Sequence, residues 1–543
     1  MLRQYINIHA LRNKEGFAFV LILGIIAITT ALSLSFLQKA GIGTSATATR
    51  FSAMQAHYLA RSATNHALWR LLNDPNFSTS GTSYYMHDLG AGRYGHKVRK
   101  PTLTKFGTVA TVGGVSNAVT RQSYVQYLKP YDIITLYDKN LEEIPQSRRL
   151  LGASLLDPSD TANDGLDTAQ WMVLKGCPKR KEMIMGTLDN AFDINFVVWN
   201  GSTWGNLIEF TQDAGTNNYR SFDVAYENQS GKALVLARDA TDLVRYNIWN
   251  GSGWASPTAQ TDASITPEGN ISYLTMASNP ISNEILIAEV QNSNDLKLVR
   301  WDGSSFTDYG EIEQSMGTDK YGSAVIVYEQ QSGDALILYN IFNNSQINYR
   351  VWSGTSLSPI EYQAPDFIGN IYTIRAAADP NSDYILVVAV DKKKNLNVAV
   401  WDGNAWTGPH EIETAMDATE GQNFDVAWEY SGDEVVVAWG SQSSGGNRIR
   451  HYTWRKGTAL SAQAVQSGPD FQNEISKVRL CSISNTQKII LLVENTDREL
   501  RYSLWIGNTF LGDPGILLDP NLAIGDLPFN ITESGVTYTG GSG

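Results

Sequence analysis

The distribution of apolar and polar positions divides the chain into an N-terminal helical part and a longer part with the short period of β-strands. The longest apolar stretch runs from Phe17 to Leu37 and contains no charged residue. As a helix, these 21 residues would extend about 31 Å, which is enough to cross a bilayer. The pattern therefore predicts a transmembrane helix over residues 17–37.

A second helical segment continues directly from the first. Residues 38–74 contain no Pro and no Gly after Gly43, and the segment ends before Pro75, where a helix commonly stops. Apolar residues recur here at spacings of three and four, which predicts an amphipathic helix with one face against a protein body. The residues of that face are Tyr58, Leu59, Ala63, Ala67, Leu68, Leu71 and Leu72.

Residues 1–16 form a short leader before the apolar stretch. The leader carries Arg3, Arg12 and Lys14 against one acid and ends in Gly16, which precedes Phe17. This leader, the apolar helix and its amphipathic continuation resemble a type IV prepilin. The stretch AHYLARSATNHALWRLLND at 56–74 is most similar to PilX-type minor pilins and to the large minor pseudopilin of type II secretion.

The resemblance implies that a prepilin peptidase cuts between Gly16 and Phe17 and that the new amine is methylated. It also implies a single-pass inner-membrane protein whose helix contacts other pilins or pseudopilins and whose C-terminal part is periplasmic or extracellular. One position departs from the family, because main pilins carry Glu at the fifth mature position and this chain has Leu21. That departure favours a place at the filament tip or in a priming complex. The alternative is a plain signal anchor.

Residues 75–167 are predicted to form a small pilin-like β region followed by a linker. Short alternating segments, RYGHKV, GTVATVGG and NAVTRQSYVQYL, are separated by turn residues between positions 93 and 128 and predict antiparallel strands. Residues 129–167 have little periodicity and end in the polar DPSDTANDGLD, which predicts a connector.

The rest of the chain, residues 168–543, contains a sevenfold repeat. The 306 residues from Trp199 to Trp505 form six intervals with a mean of 51 residues, a period typical of repeat architectures. Each unit contains one Trp-x-Gly motif, with an insertion of one residue in the sixth. The motif residues are Trp199 and Gly201, Trp249 and Gly251, Trp301 and Gly303, Trp352 and Gly354, Trp401 and Gly403, Trp454 and Gly457, and Trp505 and Gly507.

Each repeat contains four short apolar segments, which predicts a seven-bladed β-propeller with a C-terminal tail. FDVAYE at 222 returns as FDVAWE at 424, so blades alternate between two types, and the ring is expected to close where the like blades 7 and 1 meet. Whether the tail adds a strand is left open. The predicted fold class is thus mainly β, with a long N-terminal helix, a small pilin-like sheet and the propeller.

Recurring aromatic and acidic residues are the visible candidates for chemistry. The repeated Trp residues are interpreted as a layer between blades rather than as ligand platforms. Glu227, Glu329 and Glu429 recur at the ends of innermost strands. They are expected to be solvent-exposed charges, with a rim that binds a cation or a basic partner as the alternative.

Composition narrows the function further. A net charge of −13 argues against nucleic acid as a partner. No nucleophile elbow, metalloprotease motif or phosphate loop is present in the sequence, so no enzyme activity, cofactor or metal is predicted. Cys177 and Cys481 are interpreted as two buried thiols, and a bridge between blades 1 and 7 is the alternative.

The sequence therefore predicts a minor pilin-like subunit at the tip of a type IV pilus or type II secretion-like filament. Its propeller would present binding loops to a surface, a glycan or a protein. One alternative is an assembly or priming platform for other minor pilins. The other is a tethered lectin-like or hydrolytic propeller outside any filament.

Overall fold

The structure is a computed structural model that describes part of the chain. It describes helical residues at 54–56, 58–60, 62–63 and 66–67, the strands between 84 and 160, and most of 168–533. The leader, the predicted span 17–37 and the processing site Gly16-Phe17 lie outside the described residues. Within the described part, no helix has both the length and the apolar character needed to cross a membrane. The chain divides into two compact units, 1–129 and 130–543.

The first unit contains helical residues within the segment predicted as an amphipathic helix. Ala56, Ala60, Ala63 and Ala67 are at most 2% exposed, and their spacing of four, three and four places them on one helix face. Tyr58, which was predicted to lie on the buried face, is 45% exposed. The buried face therefore consists of small residues in the described turns, which allows close approach of a neighbouring element.

An antiparallel four-stranded sheet follows in the same unit, in the order β1-β2-β3-β4. Its three longer strands coincide with the segments of alternating polarity, and the first strand was not predicted. The strands are β1 (Tyr85–Leu89), β2 (Gly92–Arg99), β3 (Gly107–Val115) and β4 (Val119–Tyr127).

The second unit is a β-propeller with eight sheets among its described residues. Blade 1 contains β9 (Ala169–Gly176), β10 (Met183–Asp189), β11 (Ile194–Trp199) and β12 (Trp204–Thr211), and blade 2 contains β13 (Phe222–Tyr226), β14 (Ala233–Arg238), β15 (Val244–Trp249) and β16 (Thr261–Asp262). Blade 3 contains β17 (Ile271–Ser278), β18 (Ile285–Gln291), β19 (Leu296–Trp301) and β20 (Phe306–Glu313). Blade 4 contains β21 (Ala324–Tyr328), β22 (Ala335–Asn340), β23 (Gln346–Trp352) and β24 (Tyr362–Asp366).

Blades 5 to 7 repeat the same antiparallel order. Blade 5 contains β25 (Ile371–Ala378), β26 (Ile385–Asp391), β27 (Leu396–Trp401) and β28 (Trp406–Glu413). Blade 6 contains β29 (Phe424–Trp428), β30 (Glu434–Gly440), β31 (Arg448–Arg455), a 3-10 turn (Leu460–Ala462) and β32 (Gln466–Asp470). Blade 7 contains β33 (Ile475–Ile483), β34 (Lys488–Asn495), β35 (Leu500–Trp505) and β36 (Phe510–Asp519).

The eighth blade closes the ring with strands from two distant parts of the sequence. Its order is β37-β5-β6-β7, with β8 also paired to β6. The C-terminal strand β37 is innermost and contacts both β33 of blade 7 and β9 of blade 1. The strands are β5 (Pro130–Tyr137), β6 (Gln146–Leu151), β7 (Ser154–Leu155), β8 (Ser159–Asp160) and β37 (Phe529–Glu533).

Three predictions are therefore wrong in detail, although the predicted β-propeller itself is confirmed. The described propeller has eight blades instead of seven. Residues 130–160 belong to this ring and are not a linker, so the propeller unit begins at Pro130 rather than at 168. Blades 7 and 1 do not meet, because β37 lies between their innermost strands.

The core lies between successive blades because side chains alternate across each strand. In β14, Ala233, Val235 and Ala237 belong to the apolar cluster shared with blade 1. Leu234 and Leu236 belong to the cluster shared with blade 3. Each blade therefore has two buried faces, and a blade without its neighbours would expose both of them.

The Trp-x-Gly motif forms the turn between the third and fourth strands of a blade. In blade 3 the Asp302 carboxylate accepts the backbone N–H groups of Ser304 and Ser305 at 2.8 Å each. Such a turn needs a residue in the left-handed region, which Gly adopts without strain. All seven motif glycines have positive φ: Gly201, Gly251, Gly303, Gly354, Gly403, Gly457 and Gly507.

Cys177 and Cys481 are not joined by a disulfide. Cys177 is buried at the end of the first strand of blade 1, and Cys481 is half-buried in blade 7. The eighth blade separates these two blades, so the alternative of a bridge does not apply.

Candidate functional site: clefts between the blades

Three buried carboxylates join neighbouring blades. Glu227, Glu329 and Glu429 are at most 5% exposed, which corrects the expectation that they are solvated charges or a rim site. Each follows the innermost strand of an even-numbered blade and accepts an indole N–H from a motif Trp of the next blade. The pairs are Trp301 with Glu227 at 2.8 Å, Trp401 with Glu329 at 2.6 Å and Trp505 with Glu429 at 2.7 Å.

Burial places six of the seven motif Trp residues in structural positions. Trp249, Trp301, Trp352, Trp401, Trp454 and Trp505 are at most 7% exposed, while Trp199 is half-buried. Burial raises the pKa of the Glu429 carboxyl to about 7, because a charged carboxylate loses solvation there. Burial also raises the pKa of Glu329. These acids therefore join neighbouring blades.

A cluster of three aromatic rings lies beside each of these junctions. Between blades 2 and 3, Tyr246, Trp301 and Phe306 have ring centroids 4.8–6.0 Å apart. They line a cleft of about 310 Å³ whose edge includes Asp308. The same arrangement recurs as Tyr349, Trp401 and Trp406 between blades 4 and 5, and as His451, Trp505 and Phe510 between blades 6 and 7.

The boundaries that follow odd-numbered blades are built differently. Between blades 3 and 4, Glu284 accepts the Tyr328 O–H at 3.0 Å and the Trp352 indole N–H at 2.7 Å. Its other oxygen accepts the Arg300 Nε–H at 2.6 Å. The Arg300 guanidinium also lies 5.7 Å from the Trp352 ring centroid. A buried acid, a guanidinium and two aromatic side chains are thus held in one hydrogen-bonded group.

At the boundary of blades 1 and 2, the chain fills the equivalent cleft with its own cation. Arg180 donates to Glu182 at 2.8 Å and to the Gly231 carbonyl at 2.7 Å. A Cβ at Gly251 would lie only 2.9 Å from Arg180 Cζ. The Arg180 guanidinium therefore occupies the space beside Gly251.

At the boundary of blades 5 and 6, a lysine occupies the corresponding place. Lys456 Nζ lies 2.6 Å from Asp379 and 3.3 Å from Asp433. Lys456 is the residue inserted in the sixth Trp-x-Gly motif. The one irregularity in the repeat thus supplies the cation of this cleft.

The cleft between blades 3 and 4 stays open because its sequence lacks both cations. Ser282 stands where blade 1 has Arg180, because each lies two residues before the glutamate that precedes the second strand of its blade, Glu284 in blade 3 and Glu182 in blade 1. No atom lies within 4 Å of a Cβ placed at Gly354. The opening is a cleft of about 310 Å³ lined by Asn279, Ile281, Ser282, Asn283, Glu284, Arg300, Asp302, Ser332, Gly333, Asp334, Ser353 and Gly354.

This open cleft offers mixed hydrogen-bonding chemistry. Glu284, Asp302 and Asp334 supply carboxylate acceptors, and Arg300 supplies guanidinium donors. Ile281 is 50% exposed and adds an apolar surface. Sequence analysis missed these residues, since only Trp352 and Gly354 of the group belong to the motif. The signal that marks the cleft is the difference between Ser282 and Arg180 once the blades are aligned.

Comparison with known proteins gives similarities in fold only. No protein-family profile matches the sequence, and no curated protein matches it. Among solved structures, the BP39L lectin from Burkholderia pseudomallei is 14% identical, with a TM-score of 0.47, and the match covers 64% of this chain and 99% of the lectin.

Two further propeller lectins are similar to a lesser degree. The SapL1 lectin, solved with alpha methyl fucoside, is 17% identical over 57% of this chain and 98% of its own, with a TM-score of 0.35. The fucose-specific lectin from Aleuria aurantia is 15% identical over 55% of this chain and 96% of its own, with a TM-score of 0.33. The propeller assignment depends on the closed ring of sheets, and similarities of this size do not carry the lectins' ligands over to this chain.

Proposed function

We propose that the propeller is a non-catalytic carbohydrate-binding module and that the cleft between blades 3 and 4 is its ligand site. The observation that carries this proposal is the difference between three equivalent boundaries. At two of them a cation of the chain itself, Arg180 or Lys456, is held by hydrogen bonds or ion pairs, whereas at the third Ser282 lines a cleft beside the Glu284–Arg300 pair.

The cleft's chemistry suits a polyhydroxylated ring. Sugar hydroxyls both donate and accept, so they pair with a carboxylate and a guanidinium at the same time. Tyr328 and Trp352 hold Glu284 in place before any ligand arrives, which lowers the ordering cost of binding. The apolar face of a sugar ring would lie against Ile281. A volume of about 310 Å³ is at the small end of ligand pockets and fits one monosaccharide unit.

The substitution Ser282→Arg is expected to abolish glycan binding, because it rebuilds the arrangement of Arg180 and fills the cleft. Arg300→Met is expected to weaken binding roughly 10–100-fold, since it removes a charged donor and keeps an apolar chain over Trp352. Binding would be measured on a glycan array that includes methyl α-fucoside, followed by titration calorimetry of each hit.

Arg180→Ser is the matched control, because it removes a cation from a different boundary. Its affinity for the same glycan should stay within about twofold of the unchanged protein. A Ser282→Arg protein that binds like the unchanged one would move the site elsewhere, for example to the aromatic clusters. An array on which the unchanged protein binds nothing would contradict the carbohydrate-binding function.

The display of this propeller on a pilus or pseudopilus is a second part of the proposal. It is supported by Gly16, Phe17, the apolar stretch that follows and the resemblance of residues 56–74 to minor pilins. In this proposal the N-terminal helix joins the filament tip and the propeller contacts glycans on a surface. An assembly platform for other minor pilins remains the competing role of the same segment.

N-terminal mass spectrometry of the full-length protein from its native envelope is expected to find a chain that starts at N-methylated Phe17. A strain without the prepilin peptidase provides the control and should retain Met1. A chain that starts at Met1 in both strains would contradict the filament role and leave a tethered propeller. Glycan binding would stand or fall independently of that result.

A further inference from the structure

Three histidines of the first unit lie close together although they are distant in sequence. They are His66 in the helical segment, His87 in β1 and His96 in β2. One ligand nitrogen from each lies within 4.8 Å of the corresponding nitrogens of the other two. Their ring centroids are 4.8 Å apart for His66 and His87, 5.1 Å for His66 and His96, and 5.6 Å for His87 and His96.

The register of the β1-β2 hairpin brings two of the imidazoles to one face. Tyr85 pairs with His96, and His87 pairs with Tyr94, so His87 and His96 are diagonal neighbours on the same side of the sheet. The described helical residues contribute His66 to that side, three positions after the buried Ala63. The cluster therefore follows from strand pairing and from helix contact, and no short sequence motif encodes it.

The surroundings of the cluster restrict the orientation of the imidazoles. His96 is fully buried, and the ring of Tyr94 stacks on that of His87 with centroids 5.1 Å apart. The Tyr94 hydroxyl lies 3.3 Å from His66 Nδ1. This contact restrains the His66 ring, in the manner of an outer partner that orients a metal ligand.

We propose that His66, His87 and His96 form a binding site for a divalent transition-metal ion of the Zn²⁺ type. Imidazole nitrogen is a preferred ligand of Zn²⁺, Cu²⁺ and Ni²⁺. Nitrogens bound to Zn²⁺ at about 2.0–2.1 Å in a tetrahedron lie roughly 3.4 Å apart. The separations of at most 4.8 Å therefore need only small side-chain rotations. Three histidines leave a fourth tetrahedral position for water or for another ligand.

The site would connect the helical segment to the β1-β2 hairpin through a metal. His66 is 21 residues before His87 and 30 before His96, so the ion would close long loops between separate elements. Metal binding would then stabilise the first unit by mass action, and removal of the metal would destabilise it. The site is independent of the propeller and of the proposed glycan cleft.

The test uses the full-length protein in detergent, freed of metal with a chelator and titrated with Zn²⁺ by calorimetry. One Zn²⁺ is expected per chain. His87→Gln, at a half-buried position, removes a proposed ligand and is expected to weaken Zn²⁺ binding more than about 100-fold. Tyr94→Phe removes a positioning residue and is expected to weaken Zn²⁺ binding roughly 10–100-fold. His410→Gln, in the propeller strand β28, is the matched control and should leave the titration unchanged.

X-ray absorption of the zinc-loaded, unsubstituted protein provides a result that does not depend on the folding of any variant. Nitrogen neighbours at about 2.0 Å with imidazole scattering from three rings are expected. A protein that binds no Zn²⁺, a His87→Gln protein that binds Zn²⁺ as tightly as the unchanged one, or a shell without imidazoles would overturn the proposal.

Discussion

Removal of the C-terminal strand is expected to destabilise the whole propeller. A chain that ends at residue 523 lacks β37, which pairs with β5 from Phe529 opposite Tyr137 to Glu533 opposite Ile133. The same strand contacts the innermost strands of blades 7 and 1. Its loss would open the ring and expose a face on each flanking blade, as well as the edge of β5. We expect a loss on the order of 5 kcal/mol and rapid proteolysis within residues 130–160.

A chain that ends at residue 534 is the control, because it keeps β37 and removes only the residues after it. Its thermal midpoint and protease pattern should match those of the full-length protein. Circular dichroism melting and limited proteolysis followed by mass spectrometry would measure both effects. Equal stability of the two truncated chains would show that β37 does not close the ring.

Replacement of a motif tryptophan that joins two blades is expected to have the next largest effect. Trp301 is 2% exposed and donates its indole N–H to Glu227 at 2.8 Å. Trp301→Ala would leave a cavity between blades 2 and 3 and a buried carboxylate without this donor. Each of these effects is unfavourable, and together they should cost about 3–5 kcal/mol of unfolding free energy. Denaturant titration would measure the loss.

The repeat supplies two matched controls for this substitution. Trp199→Ala removes the same side chain at the equivalent position of blade 1, where the ring is only half-buried, and should cost less than half as much. Glu227→Gln keeps an acceptor for the indole N–H and should cost about 1 kcal/mol or less. Similar losses for Trp301→Ala and Trp199→Ala would contradict the proposed role of the buried Trp–Glu contact.

Most of the propeller could be predicted from local patterns. Strand alternation and the period of 51 residues identify blades 1 to 7, because each of them repeats one template within a continuous stretch. The eighth blade has no Trp-x-Gly motif, and its strands come from residues 130–160 and 529–533. A repeat search requires contiguous units, so it finds neither the split blade nor the closure of the ring.

The candidate site was less accessible to sequence reasoning. Glu227 was visible as a recurring residue, but its partner Trp301 is 74 residues away in the next blade, so burial and pairing emerge only when blades stack. The cleft between blades 3 and 4 has Ser282 at the position where blade 1 has the cation Arg180. This difference is recognised only when the two blade boundaries are compared in the structure. The histidine cluster combines a helix with two strands, and nothing in the spacing of His66, His87 and His96 predicts a metal site.

The sequence by itself determined the β-propeller class, the alternation of two blade types and the turns at each Trp-x-Gly motif, because periodicity and backbone preference act over short distances. Only the tertiary structure decided the number of blades, the burial of the glutamates, the cleft between blades 3 and 4 and the meeting of three imidazoles. The physical reason is that each of these features is a contact between residues of different blades or elements. Such contacts depend on how the elements stack, which no local pattern of residues specifies.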